Sequence, residues 1–547
     1  MQASLLPGPH IMKISLTYAL LIVCLCCTRL SAQESEPIPP SLTNPDRIQQ
    51  NQDSGQSLGD LARKSRKDHS EETKMSPEEA KKLFSAVDRI AAFASQDSGF
   101  PQRSTIKRQL VSPDDVEKSA RARMAKEEYS ERMARSELTM KKFGLLPREF
   151  NLREFMIKVQ RKEIAGYYDD ETKSISLVNT IPFRQQEAIL AHELTHALQD
   201  QNYDLRAWAK SGDSSRGKAY KVHLTDESTA ARQAVVEGQA TVVYVDYLLA
   251  PSGRNLQNTP GLIYRLEDPV IKGSVDSQMM HDAPMILRVA GEFPYRDGLI
   301  FEGELLQAGG KKMAFAGAFA NPPRSTHEVI QPRAYLAHEQ LPALPLPDVR
   351  ATLGETYELY DSGSIGELDV RALLWQLGSR TLADDLSKSW QGGAYAAFQK
   401  KSVAAASSTA DLELLYVSRW SSAQAAQRFA KFYVGEVSRR YQTVAAEPGG
   451  SCSAADCPVS STQITTEEGP VIVELLQDNI VVVSESFDKD TAAKLSTAVR
   501  ERGPKTQALS LSQELGMRLY DLQAFGALQQ RVGEEMIERA YASLVAK

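Results

Sequence analysis

The segment Asp226 to Leu249, DESTAARQAVVEGQATVVYVDYLL, sets the tightest constraint on any fold this chain adopts. It opens with helix-starting residues and continues almost unbroken in apolar ones, and a helix that is apolar most of the way round has to be buried. Glu237 nevertheless stands in its middle. A carboxylate without compensation there costs several kcal/mol or stays protonated, so the fold must bring it a positive partner. A bound cation is the simplest partner, and a basic side chain such as Arg232 is the other. Gly238, beside the acid, lets the backbone of a neighbouring helix come close. Glu227 is the rival acid, although Asp226 and Glu227 sit where the helix dipole favours negative charge.

A second stretch supplies what Glu237 lacks. Leu190 to Leu205, LAHELTHALQDQNYDL, places His192 and His196 four residues apart with Glu193 directly after the first. On an α-helix those two positions lie about 40° apart around the axis and about 6 Å apart along it, so both imidazoles can converge on one ion. Glu193 is then placed to take a proton from water at that ion, the division of labour that the pattern HExxH encodes. Composition alone produces this pattern roughly once in a hundred such sequences, so its surroundings decide. Ile189, Leu190, Leu194, Ala197 and Leu198 flank the histidines with apolar surface. A partly buried imidazole pair without a metal needs two sets of hydrogen-bond partners, which favours ligation. The candidate site is therefore His192, His196 and Glu237 as metal ligands, with Glu193 as the catalytic base.

These residues, with the run Glu237-Gly238-Gln239-Ala240, resemble the gluzincin group of zinc metallopeptidases, in which an HExxH helix is completed by a glutamate from a later helix. The chain is also similar to a set of exported, largely uncharacterised bacterial proteins. These combine a segment like Ala165 to Val178, AGYYDDETKSISLV, with AHELTHALQDQ, then VEGxA, then a PPxST motif, here Pro322 to His327. The likeness covers about Ile164 to Ile330. It implies a zincin-like fold, one Zn2+ ion as cofactor and hydrolysis of peptide bonds in a peptide or protein substrate. It also implies a strand just upstream of HExxH at the edge of a sheet, where an extended substrate can pair. Some gluzincins orient a histidine through an aspartate four residues after the ligand glutamate, and this chain has Thr241 there.

A chain of 547 residues with 42% hydrophobic and 24% charged residues has an ordinary soluble composition with room for three or four domains. The apolar run Ile14 to Cys27 follows Lys13, is too short to span a membrane, and is followed by Leu30-Ser31-Ala32. It predicts a signal peptide over residues 1–32, with Met12 as an alternative start, and an exported protein, periplasmic or secreted. A retained membrane anchor is the competing reading; no lipoprotein pattern is present. Cys24, Cys26 and Cys27 leave with the signal, and Cys452 and Cys457 in GGSCSAADCP are expected to pair as a disulfide. The net charge of -6 is spread along the chain, so neither nucleic acid nor an anionic membrane is implied as a partner.

The expected class is α+β. Residues 33–75 read as a disordered linker. Residues 76–150 read as an N-terminal helical region, opened by Ser76-Pro77-Glu78-Glu79, with a second long helix from Ser112 towards Lys142. It is expected to stay attached, a cleaved propeptide being the alternative. Residues 151–340 form the zincin-like, mainly helical domain. There a helix over Asn151 to Glu163 and a hairpin over Gly166 to Val178 precede HExxH. Further on come a strand or short helix at Met280 to Val289, a rigid turn at Phe293-Pro294-Tyr295 and a helix at Gly298 to Ala308. A Pro-rich linker, 341–350, leads to a C-terminal α+β domain, 351–547. Its expected helices are Gly366 to Leu377, Leu382 to Trp390, Ala423 to Tyr441, one from Lys489 and one over Ser510 to Val545. Its strands are Leu412 to Ser418, Val471 to Leu476 and Ile480 to Ser486.

His223, Tyr244, His281, Tyr295 and His327 are candidate donors to an oxyanion. No nucleophile elbow, phosphate loop or internal repeat is present. Two other classes fit the same residues. One is a catalytically silent, zinc-stabilised envelope binding protein; the other is a hydrolase of a non-protein amide, since HExxH fixes the chemistry and not the acyl group.

Overall fold

The computed structural model describes residues 75–181, 183–210, 226–266, 278–342, 344, 353–354, 356–446 and 460–502. The expected signal peptide, nearly all of the 33–75 linker, most of 341–350, His223, Cys452 with Cys457, and the Ser510 to Val545 helix lie outside the described residues. The class is α+β.

Helix α1 (Pro77–Ser98) begins as the sequence dictates. Ser76 Oγ accepts from the Glu79 amide at 3.2 Å, and Glu79 accepts from the Ser76 amide at 2.9 Å, a reciprocal capping box. Its apolar row Leu83, Val87, Ile90 and Ala94 is buried. Strand β1 (Lys107–Val111) follows, then α2 (Pro113–Met124), α3 (Glu127–Phe143) and α4 (Leu152–Glu163). The single long helix expected over Ser112 to Lys142 is thus two, broken at Ala125-Lys126. The break lets α2 pack on α4 while α3 reaches the strand Tyr357–Ser364 of the C-terminal sheet, two directions that one straight rod cannot serve.

Strands β2 (Gly166–Asp169) and β3 (Ser174–Val178) form the expected antiparallel hairpin. β1 adds to it in parallel, giving the order β1-β3-β2. The strand immediately before HExxH is therefore central, not at the edge, and β2 is the edge on the hairpin side. The Val178 amide donates to Ala165 O at 2.8 Å. The antiparallel alternation from that bond turns the backbone groups of Gly166 and Tyr168 away from β3.

Helix α5 (Phe183–Tyr203) carries HExxH and packs against α1, β2, β3 and α7 (Asp226–Leu249), with short α6 (Leu205–Lys210) between. After α8 (Gln278–His281), α9 (Met285–Lys312) runs unbroken through Phe293-Pro294-Tyr295, where a turn was expected. Burial explains the difference: every residue from Val289 to Leu299 is buried, and the packing gained there outweighs the local penalty of one proline. α9 bends only at Gly309-Gly310 and passes into a π-helix, Met313–Gly317. α7 and α9 cross where Gly238 meets Gly298; a Cβ built on Gly238 would lie 2.5 Å from the Gly298 carbonyl oxygen. Short helices α10 (Thr326–Ile330) and α11 (Pro332–Leu336) close this part.

The later half is a seven-stranded antiparallel sheet, ordered β4-β5-β6-β10-β9-β8-β7. Its strands are β4 (Tyr357–Ser364), β5 (Trp390–Lys400), β6 (Glu413–Trp420), β7 (Val444–Ala446), β8 (Ser460–Thr466), β9 (Gly469–Leu475) and β10 (Ile480–Glu485). Between β4 and β5 come α12 (Glu367–Leu377), which packs on α9, and α13 (Arg380–Leu386). The expected helix over Leu382 to Trp390 therefore ends early, and Trp390 opens a strand instead. Helices α14 (Ala423–Gly435) and α15 (Lys489–Arg502) cover the sheet. Val481 and Val483 belong to one apolar cluster and Val482 to another, so β10 is apolar on both faces and shows no alternation.

Candidate metal centre

His192 and His196 project from α5 towards Glu237 on α7. His192 Nε2 lies 3.0 Å from His196 Nε2, and Glu237 Oε2 lies 3.2 Å from the first and 3.3 Å from the second. All three residues are buried. The two imidazole nitrogens are too close for both to carry hydrogens, and a carboxylate oxygen completes the triangle. This donor set could hold a metal ion. Arg232, the competing partner for Glu237, instead donates to the Trp208 carbonyl at 3.2 Å with its guanidinium 4.7 Å from the Trp208 ring centre.

The protein groups by themselves already arrange their charge around that point. Burial opposes ionisation of Glu237, yet the His196 charge and both imidazole hydrogen bonds outweigh it and hold its pKa near about 2. Burial also opposes the imidazolium of His196, but Glu237 and Glu193 raise it to about 9. His192, fully buried, is pushed down. One positive charge thus balances Glu237 in a place reached by both rings.

Glu193 lies one residue along α5, and burial raises its pKa to about 8. The charge on His196 and the Tyr168 amide of edge strand β2 favour its ionised form. Its Oε1 has no hydrogen-bond partner. β2 is tied to α5 from the other side of Tyr168: its hydroxyl donates to Asp200 Oδ2 at 2.7 Å, and Lys173 pairs with the same oxygen at 2.6 Å.

The outer side of His196 is held by a group the sequence reading missed. His196 Nδ1 lies 2.9 Å from Gln199 Oε1, and Gln199 Nε2 donates to Val236 O and to Gln239 Oε1, each at 3.0 Å. Thr241, where some gluzincins carry an aspartate, donates its hydroxyl to Glu237 O at 2.7 Å within α7. The available signal was Gln239 inside the apolar segment, which needs partners once buried.

Of the five candidate oxyanion donors, Tyr295 is beside the site. Its hydroxyl is buried without a full hydrogen-bond partner, its ring centre is 6.4 Å from that of His192, and burial and then the charges of Glu237 and Glu193 raise its pKa strongly. His327 is engaged elsewhere, with Nδ1 2.7 Å from Glu367 Oε2. Tyr244 is buried on α7, and His281 ends α8. Glu227, the rival third ligand, accepts from the Thr326 amide at 3.0 Å and its hydroxyl at 2.8 Å, satisfying the N-terminus of α10.

Among the described residues no helix is long and apolar enough to cross a membrane. One family profile, described as Domain of unknown function (DUF8575), matches residues 355–492, the stretch from β4 into α15. No curated protein and no solved structure matches the chain.

Proposed function

We propose that this chain is a zinc-dependent metallopeptidase with a zincin-like centre that acts after export, on peptide or protein substrates. The observation that carries the reading is the convergence of His192, His196 and Glu237 with Glu193 directly beside them. The edges of a tetrahedral nitrogen and oxygen shell around zinc are roughly 3.3–3.4 Å, close to the 3.0, 3.2 and 3.3 Å separations of the three donor atoms. When bound, zinc supplies Lewis acidity, polarising the scissile carbonyl and making water acidic enough to be deprotonated near neutral pH.

The side chains divide the remaining work. Glu193 accepts a proton from the attacking water and delivers it to the leaving nitrogen. Its Oε1 has no protein partner to compete with that water, and the Tyr168 amide steadies the carboxylate. Tyr295 donates its hydroxyl to the substrate oxygen as negative charge builds there. The outward amide and carbonyl of Gly166 and the outward carbonyl of Tyr168 on β2 offer an edge on which an extended peptide can add as a strand.

The test is metal analysis of the purified protein together with cleavage of a peptide library, with and without a chelator. Glu193→Gln should keep its zinc and lose at least about 100-fold in kcat, the scale of general-base catalysis. Cleavage that survives either the substitution or the chelator refutes the mechanism. Zinc uptake without cleavage of any unfolded protein supports a catalytically silent binding protein instead.

A further inference from the structure

We infer that the π-helix Met313–Gly317 sets the tautomer of His196 through a relay of two buried glutamines, so that its Nε2 lone pair faces Glu237 and His192. The purpose of the device rests on the zinc reading above, while its geometry does not.

The relay ends on groups that can only accept. Gln239 is fully buried, and its side-chain nitrogen lies 2.8 Å from Ala314 O and 3.0 Å from Phe315 O, both carbonyls of the π-helix. Turning that amide round would set its oxygen against two carbonyl oxygens. Gln239 Oε1 therefore points back towards Gln199 as an acceptor. Gln199, also fully buried, answers with its nitrogen, which reaches Gln239 Oε1 and Val236 O at 3.0 Å each. Val236 O is a second acceptor-only group, and Gln199 Nε2 donates one hydrogen to each, so the orientation of Gln199 rests on both contacts together. Its oxygen is left facing His196 Nδ1 at 2.9 Å, and that nitrogen must carry the hydrogen. His196 Nε2 is then bare in the neutral ring.

The relay has a chemical consequence. Ligand histidines are commonly held by a carboxylate, which adds negative charge behind the ring. A neutral amide orients the ring without that charge. A π-helix shifts its carbonyls out of the α-helical bonding pattern and is frequent at functional sites, and here two of its carbonyls end the chain. Gln199 and Gln239 are thus positioning residues, acting through His196.

The test uses the full-length protein with nitrogen-labelled histidine. In the metal-free protein, at a pH where the ring is neutral, His196 should show its hydrogen on Nδ1. Gln239→Met should shift that population and weaken zinc binding by about 10- to 100-fold in competition with a chelator. Gln199→Met should do the same, and the double variant should be no worse than Gln199→Met alone, because the relay is broken only once. A hydrogen on Nε2 in the wild type overturns the inference whether or not the variants fold. So does wild-type zinc affinity in a folded Gln239→Met, which leaves the hydrolase reading intact. If the wild type takes up no zinc, the hydrolase reading fails and the tautomer measurement still decides this one.

Discussion

Replacing Gly238 by alanine tests the crossing of α7 and α9 that positions Glu237. A Cβ at Gly238 would lie 2.5 Å from Gly298 O, 2.6 Å from Gly298 C and 3.0 Å from Gly298 Cα, short of ordinary contact at 3.4 Å by about 0.9 Å. The obstacle is backbone, which cannot rotate away. The reciprocal position is equally tight, since a Cβ on Gly298 would sit 2.5 Å from Ala234 O. Two effects oppose each other. Alanine gains about 1 kcal/mol over glycine in a helix interior, whereas overpacking costs about 1–3 kcal/mol when neighbours can adjust. With neighbours that cannot, the upper figure applies, and the net loss is about 2 kcal/mol. The helices must also part by much of that 0.9 Å shortfall. That moves Glu237 against rings it now meets at 3.2 and 3.3 Å, so zinc affinity should fall at least about tenfold. Gly435→Ala is the control, because no atom lies within 4 Å of the added carbon and the helix gain of up to about 1 kcal/mol is unopposed. Urea midpoints and chelator competition read both quantities. A Gly238→Ala protein that unfolds at the wild-type midpoint and binds zinc as tightly would refute the close-crossing argument.

Other perturbations separate neighbouring roles. Glu227→Ala strands the Thr326 amide and hydroxyl and should cost about 2–3 kcal/mol in unfolding with zinc content unchanged; loss of zinc would restore Glu227 as a ligand. Tyr295→Phe should lower kcat by about 100- to 1000-fold with zinc content kept, and an unaltered rate would remove it from the mechanism. Burial raises Asp361 from 3.8 to about 6 although Tyr395 donates to it at 2.9 Å. The folded state therefore holds this proton more tightly than the unfolded one. Its stabilising effect is complete below the unfolded value and is lost as pH rises through about 6, a change of about 3 kcal/mol. Asp361→Asn should flatten that slope, and urea unfolding at about pH 4.5 and about pH 7.5 would expose parallel profiles if the reasoning is wrong.

The triad was legible because burying Glu237 demands a partner, and two histidines at helical spacing were available to meet it. Where the sequence misled, a local rule was overridden by packing. Ser-Ile-Ser-Leu-Val alternates as a half-exposed strand should, yet Ser176 is buried and meets Gln109 of β1 at 3.0 Å. Only the parallel addition of β1, distant in the sequence, makes a serine face internal. Pro294 marked a turn by its missing amide, but the surrounding helix is buried too completely for the chain to leave it. Hiding that helix also hid the direction of Tyr295, which is why it could not be told apart from four other donors. Gln199 was not singled out, because a glutamine carries no sign of what it will bond.

A single helix orders most of the site, and its periodicity explains how. Seven residues fall about 20° short of two full turns, so His192 and Gln199 share one row of α5 and Glu193 and Asp200 share the next, about 100° away. His196 stands near the first row. That row faces α7, where Glu237 meets the rings and Gln239 meets Gln199. The second row faces the hairpin, where the Tyr168 amide acts on Glu193 and the Tyr168 hydroxyl donates to Asp200. Each row thus ends in a residue that fixes its surroundings: Gln199 holds His196, and Asp200 holds Tyr168, whose amide acts on Glu193. One residue inserted after Ala197 would keep HExxH whole while turning Gln199 and Asp200 about 100° out of line, so the five-residue motif is only the first half of what this helix specifies.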